Sequence, residues 1–353
     1  MINYSYRYSE TTKMTKKPAS KPAKKSKPNK DFSAGSGTVT TTRRSNGSKT
    51  PSKRAQTSFS AAAGRLMDAS QSAATKRAYA SDLRHFELHG GTVPTTVRKL
   101  VEYLASFAET LSAATLERRL IAIDKAHREI GLRSPTVDAT VKRMMQGIRR
   151  TRGTQPRQVK PMVKDDLLEA MVMIDKQKPV KAARDRALLL IGFAGAFRRS
   201  ELVAIRFEHI SHVSNGIEVF LPKSKTDQAR EGATIFIPYA NGDRCPIRAL
   251  MQWLEIAVLT EGFVFRAVTR HDCVSTRGLS AQSVALIVKA SVSRVGGDSA
   301  KFSGHSLRAG YCTQAAISGL QPYQIREQSR HKSDVTLAKY IRPVSRRKSP
   351  SLL

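Results

Sequence analysis

His305-Ser-Leu-Arg308 sets an imidazole and a guanidinium three residues apart, on one face of a helix. Gly304 just before them reads as a helix start, where free backbone N–H groups and the helix dipole favour an anion. An imidazole and a guanidinium in that place suit a phosphodiester. Alone the signal is weak, because His-x-x-Arg arises about once by chance in a chain of this composition. Arg198-Arg199-Ser-Glu201 closes a long apolar helix. An arginine at the edge of a core is costly without a partner, and Glu201 could hold it; a plain structural ion pair is the alternative. Lys225, in Ser224-Lys225-Thr226, falls at a hairpin tip, where most lysines are merely solvated. His331 and Tyr340 share the end of the chain, and Tyr340 alone would serve as well in a core or an interface.

The elements that must position these groups are mostly helical. Apolar residues recur with the 3.6-residue helical period in Thr75–His89, Thr95–Ala108, Ser112–Ile130 and Ser134–Arg150. Ser134-Pro135 reads as the start of the last of these, a capping hydroxyl followed by proline at the first helical position. Residues 58–150 therefore form a helical domain. Thr151–Pro161, polar, basic and proline-marked, reads as a linker. Residues 162–353 form a second domain, with helices at about 163–175, 181–197, 245–258, 280–294, 306–318, 321–329 and 334–342. Gly216–Pro222 and Ala233–Pro238 alternate and are rich in β-branched and aromatic residues, which predicts an antiparallel strand pair. The fold class is mainly α with a small antiparallel sheet.

Charge points to the partner. Sixty-one Lys and Arg stand against 28 Asp and Glu, a formal net charge of +33. Residues 1–60 hold 14 basic and 2 acidic residues, yet residues 156–353 still hold 31 and 17. The excess is not confined to a tail, and nucleic acid is the default polyanion. Residues 1–57, rich in Lys, Ser, Thr and Pro without apolar periodicity, read as a disordered basic arm. The longest apolar run, Ala187–Phe197, is too short for a membrane span of ~20 residues. Three scattered cysteines, Cys245, Cys273 and Cys312, form neither a disulfide framework nor a zinc motif.

Order and spacing join the separate signals. Arg198, Lys225, His305, Arg308, His331 and Tyr340 together resemble the active-site set of the tyrosine recombinase (phage integrase) family, which includes Cre and the Xer recombinases. The resemblance rests on AFRRSELVAI at 196–205, SKT at 224–226, GHSLRAG at 304–310 and RHKSDVTLAKYI at 330–341. TKRAYASDLRHF at 75–86 is similar to that family's core-binding helix. There are two departures. The family often has Gly-Leu where this chain has Ala196-Phe197, and Gly where it has Arg330. Lys223 stands close enough to Lys225 to leave that assignment open.

The resemblance implies a helical, SAM-like core-binding domain and a mixed α/β catalytic domain that clamp DNA. It implies a Tyr340 nucleophile, His305 as base, Arg198 and Arg308 on the phosphate oxygens, His331 as a further donor and Lys225 as general acid, with Glu201 in support. Lys76, Arg77, Arg84, Lys142, Arg143, Arg149 and Arg150 avoid the apolar stripes of their helices and are expected on DNA phosphates, a minority reaching base edges. The implied partners are double-stranded DNA with inverted-repeat sites and, in the synaptic complex, a homotetramer of subunits that are monomers when free. No cofactor, metal or membrane is implied, and the expected location is cytoplasmic, at the nucleoid. A type IB topoisomerase-like enzyme, and a DNA-binding protein on a decayed recombinase scaffold, are the alternatives.

Overall fold

A computed structural model of the chain describes residues 60–153, 158–222 and 232–348. The basic segment 1–57 and the residues 223–231, with Lys223 and Lys225, lie outside them. By its internal contacts the chain divides between Lys76 and Arg77. The first unit contributes α1 (Ala61–Ala69) and the first turn of α2 (Ala73–Leu88). Ser60 Oγ caps α1 by accepting from Ala63 N at 3.2 Å. The sequence reading has no helix there, because AAAGRLMDA lacks a repeated apolar stripe.

In the second unit, α2 continues and is followed by α3 (Val97–Phe107), α4 (Ala113–Glu129) and α5 (Ala139–Arg152). Their stripes meet in a core of Phe86, Leu100, Leu104, Leu116, Ile123, Met145 and Ile148. Each such side chain contributes about 1.5–3 kcal/mol on burial, which is what holds helices of this length together. One start signal is corrected. Ser134-Pro135 opens a single 3₁₀ turn, Pro135–Val137, and Asp138 caps α5 by accepting from Thr140 N at 2.7 Å. The helix also runs on through Thr151 and Arg152.

A second core begins at Met162 and gathers α6 (Lys164–Ile174), α7 (Pro179–Ala194), α9 (Pro246–Ile256) and α10 (Ala281–Arg294). Against them lies a three-stranded antiparallel sheet, β1 (Ile210–Val213), β2 (Gly216–Leu221) and β3 (Ala233–Pro238), in that order. Ile217 pairs with Ile237 and Val219 with Ile235, so alternate residues face inward as their pattern predicts. A second hairpin, β4 (Arg266–Val268) with β5 (Val274–Gly278), is short and polar, and neither it nor β1 is anticipated.

The last three long helices, α11 (Ser306–Ile317), α12 (Pro322–Ser329) and α13 (Asp334–Lys348), share a small cluster of Cys312, Ala315, Ala316, Ile325, Leu337 and Val344. Helix α13 passes the expected end at 342 and runs to Lys348. Gly310 lets α11 lie against the start of the second core. A Cβ there would come 1.8 Å from the Met162 carbonyl oxygen, and Met162 N donates to Ser306 O at 3.0 Å. Among the described residues, no helix is long and apolar enough to cross a membrane.

Candidate active site

The long apolar helix α7 ends at Ala194, four residues before Arg198. The expectation of a helix to 197 fails at Ala196, which takes φ +46°, a left-handed conformation that stops helical bonding. Gly195, Ala196 and Phe197 form a buried turn, and Arg198 is the cap residue of the short helix α8 (Arg199–Leu202). Glu201 reaches back to it. Its Oε2 accepts from Arg198 N at 2.9 Å, and its Oε1 from Arg198 Nη1 at 2.6 Å. Glu201 is 4% exposed. Burial pushes its carboxyl up, but Arg330 and the hydrogen bonds and charge of Arg198 outweigh this and hold it below the usual range.

Helix α11 presents the next pair. His305 is its cap residue and Arg308 lies in its first turn, so the start read from Gly304-His305 is where it was expected. Arg308 is 1% exposed. Its Nη1 donates to the Ala196 carbonyl at 2.8 Å, while its Nη2 is buried without a hydrogen-bond partner among the described residues. Burial, with repulsion from Arg198 and Arg330, pulls its guanidinium down to about 10. A group held this way is primed for an incoming anion, which would supply both the missing acceptor and the missing charge.

His305 Nε2 lies 2.7 Å from the Tyr340 hydroxyl on α13. With hydrogen on Nδ1, Nε2 is the acceptor and the phenol donates. The imidazole is held below its ordinary value of 6.5 by burial and then by Arg308, Arg198 and Arg199, although one edge of the residue stays open to solvent. It is therefore neutral at pH 7, which leaves Nε2 with a lone pair to accept the phenol's proton. Burial pushes the Tyr340 phenol up, with Cys312 adding to the rise and Arg308 opposing it, so the phenol depends on a base to become a nucleophile.

His331 closes the group, its ring centroid 5.7 Å from that of Tyr340. Ser329 Oγ donates its one proton to Ile325 O at 2.6 Å, so its 2.7 Å contact with His331 Nδ1 is donated by the imidazole. That fixes hydrogen on Nδ1. Nε2 can serve as the expected further donor only when the ring is protonated. Burial, with Arg308, Arg198, His305 and Arg330, holds that proton off, pulling His331 down to about 3.

Comparisons with known proteins give the family of the chain. Residues 160–347 match the model of the phage integrase family. An integrase/recombinase of Selenomonas ruminantium, a xerD homolog, is 38% identical over 286 residues, covering 78% of this chain and 84% of that one. The chain belongs to the phage integrase family. Among solved structures, the XerH site-specific recombinase in its post-cleavage complex aligns with TM-score 0.57 at 16% identity, over 77% of each chain. A lambda integrase tetramer bound to a Holliday junction aligns with TM-score 0.56 at 16% identity, over 78% of this chain and 74% of that one. At these identities the likeness is one of fold.

Within this integrase fold, five of the six residues named from the sequence fall in one place: Arg198, His305, Arg308, His331 and Tyr340, with Glu201 behind Arg198. The sixth, Lys225, is outside the described residues. The residues expected on DNA, Lys76, Arg77, Arg84, Lys142, Arg143, Arg149 and Arg150, are all exposed. Arg149 is already tied to Glu117 Oε1 at 2.7 Å. Sequence reasoning missed Ser329, Arg330 and the Ala196 carbonyl. The sequence signal was the pair of departures from the family pattern, Ala196-Phe197 and Arg330. They meet in space, the Arg330 guanidinium lying 5.4 Å from the Phe197 ring centroid.

Proposed function

We propose that this chain is a site-specific tyrosine recombinase that cleaves and rejoins DNA strands through Tyr340. The observation that carries the assignment of residues is the 2.7 Å contact of His305 Nε2 with the Tyr340 hydroxyl, made in the same site as a buried arginine edge that has no partner among the described residues. Tyr340 attacks the scissile phosphorus and its proton passes to His305 Nε2. The bond to the 5′-oxygen breaks, and that oxygen leaves with the electron pair and takes a proton from Lys225. The product is a 3′-phosphotyrosine link and a free 5′-hydroxyl. Arg198 and Arg308 hold the non-bridging oxygens as charge gathers on them, which a planar guanidinium does in a way lysine cannot. Phosphate also draws a proton onto His331, whose Nε2 then becomes a donor.

A 5′-hydroxyl from a partner duplex reverses the step and releases Tyr340. One phosphodiester is exchanged for another, so no ATP is consumed. Strand exchange needs two DNA sites, and we assign it to a homotetramer on inverted-repeat sites, assembled from monomers. Residues 58–152 and 162–353 would grip the duplex from two sides, with 153–161 as linker and 1–57 adding non-specific affinity. The separate cores within 83–148 and 162–307 support that division. The place of action is the cytoplasm, at the nucleoid.

Incubation with nicked duplexes of randomised sequence tests this reading. The nick lets the short cleaved piece diffuse away and traps the protein on DNA. An SDS-resistant adduct is expected, and Tyr340→Phe abolishes it. No adduct with the wild-type chain, or one that survives Tyr340→Phe, overturns the assignment.

A further inference from the structure

Arg330 occupies a position that favours glycine. It ends α12 at φ +56°, in the left-handed region, where a Cβ crowds the following carbonyl. Glycine would perform the backbone turn at no steric cost. The side chain must therefore contribute something that glycine lacks, and its contacts show where. Nη2 donates to Glu201 Oε2 at 2.8 Å, and Nη1 donates to Gln328 O at 2.8 Å and Gly195 O at 3.3 Å. The guanidinium also lies over Phe197. Apart from Gln328, every partner is Glu201 or the Gly195–Phe197 turn, the two features that deliver Arg198.

Charge makes the contact consequential. Glu201 also binds Arg198, at 2.6 Å. A lone buried Glu201–Arg198 pair would be neutral as a whole and would hold an anion poorly. With Arg330 taking up Glu201, the cluster carries three guanidinium groups (Arg198, Arg308 and Arg330) against one carboxylate.

Resting on the strand-cleavage reading above, we propose that Arg330 is a positioning residue: it satisfies Glu201 and clamps the Gly195–Phe197 turn, so that Arg198 meets the scissile phosphate with its charge uncancelled. Arg330 does not touch the substrate. Its contribution falls on the chemical step rather than on DNA affinity, and it passes through the Glu201 carboxylate.

The experiment uses the full chain and the duplex recovered by covalent capture from the randomised pool. Single-turnover adduct formation, DNA Kd and Tm are measured for wild type, R330G, R330K, E201Q and R330G/E201Q. R330G should slow adduct formation by about 30-fold or more, with Kd within about 3-fold and no loss of Tm, because glycine suits the backbone. R330K keeps the charge without the fork or the stack and should recover part of the rate. In the E201Q background the charge that Arg330 offsets is gone, so R330G should cost less than about 3-fold further. R330G cleaving at the wild-type rate overturns the proposal, and so does an equal loss with and without the Glu201 carboxylate. Should R330G fail to fold, R330K and R330K/E201Q make the same comparison. A wild-type chain that forms no adduct removes the reading beneath the proposal, whereas wild type and R330G forming adduct equally fast removes the proposal alone.

Discussion

Asp82 in the helical region and Glu201 in the region after Met162 are both buried carboxylates that gather arginines. Asp82, 3% exposed, accepts from Arg118 Nε and Nη2 at 2.7 and 2.9 Å. Arg119 Nε stands 3.7 Å from it, and Arg119 Nη1 donates to the Tyr103 hydroxyl at 3.0 Å. Tyr103 passes the chain on to His85 Nδ1, also at 3.0 Å. Each charged member of that network ends on a side chain of the same region. Glu201 serves Arg198 and Arg330, and among the described residues Arg308 beside them has only a backbone carbonyl. The first network pairs its charges within one region and holds helices in register, although Arg119 Nε, like Arg308 Nη2, is buried without a hydrogen-bond partner among the described residues. In the second, three guanidinium groups face one carboxylate, and the surrounding core bears the cost of that excess charge.

Replacing one arginine in each network tests the contrast with the largest effects. Arg308→Met should reduce covalent capture by at least ~10³-fold, the scale of losing a main oxyanion contact. Its stability to denaturant should not fall, because a guanidinium pulled down to about 10 opposes folding at pH 7. Arg119→Met should do the reverse. Capture should stay within about 3-fold while stability drops by ~3 kcal/mol, since a buried pair is broken. If Arg308→Met destabilises as much as Arg119→Met, the two networks are alike and the contrast fails.

Acid titration separates the networks next. The unfolded chain protonates a histidine near 6.5, whereas folded His331 resists down to about 3. Within that window the unfolded state binds the extra proton, so stability falls as pH drops. The His331 share is at most ~1.4 kcal/mol per pH unit, and His331→Gln should remove it. His85 is lowered as well, by burial first and then by Arg119 and His89, so its contribution has the same sign. Captured DNA should flatten the His331 share, because phosphate favours the imidazolium, and leave the His85 share intact. A slope unchanged by DNA would place His331 away from the phosphate.

The smallest effect concerns exposed charges. Arg143→Ala should lower the salt slope of DNA binding by ~0.9, one released counterion. Arg149→Ala should lower it by less than half of that, because Glu117 already neutralises Arg149. Equal slopes would mean that the Glu117 pair opens on DNA.

What could be read in advance was what local spacing encodes. His305 and Arg308 share a helical turn, and helical periodicity places Tyr340 on α13, so their places follow from periodicity and a start signal. Arg198 is legible in the sequence, but its setting is not. Nothing in the letters Ala196-Phe197 announces a left-handed residue, and the apolar pattern of the helix continues through it. Arg330 stood in plain view as a departure from a pattern. Its meaning depends on a backbone angle and on a carboxylate 129 residues earlier, which no window along the chain contains. Strands β1, β4 and β5 escaped for a related reason. At three to five residues with mixed faces, they form because of their partners and not because of their own pattern.

One buried ring offers a use of its own. Trp253 is the chain's single tryptophan, fully enclosed in the core that begins at Met162, with its Nε1 donating to Val264 O at 2.8 Å. Excitation at the red edge of the protein spectrum therefore interrogates that core and is blind to α1–α5. Intrinsic fluorescence set against circular dichroism, which is weighted by every helix, becomes a two-channel record of melting. If the helical region loosens first, ellipticity falls while the emission stays blue, and the two regions report their separate stabilities without any label.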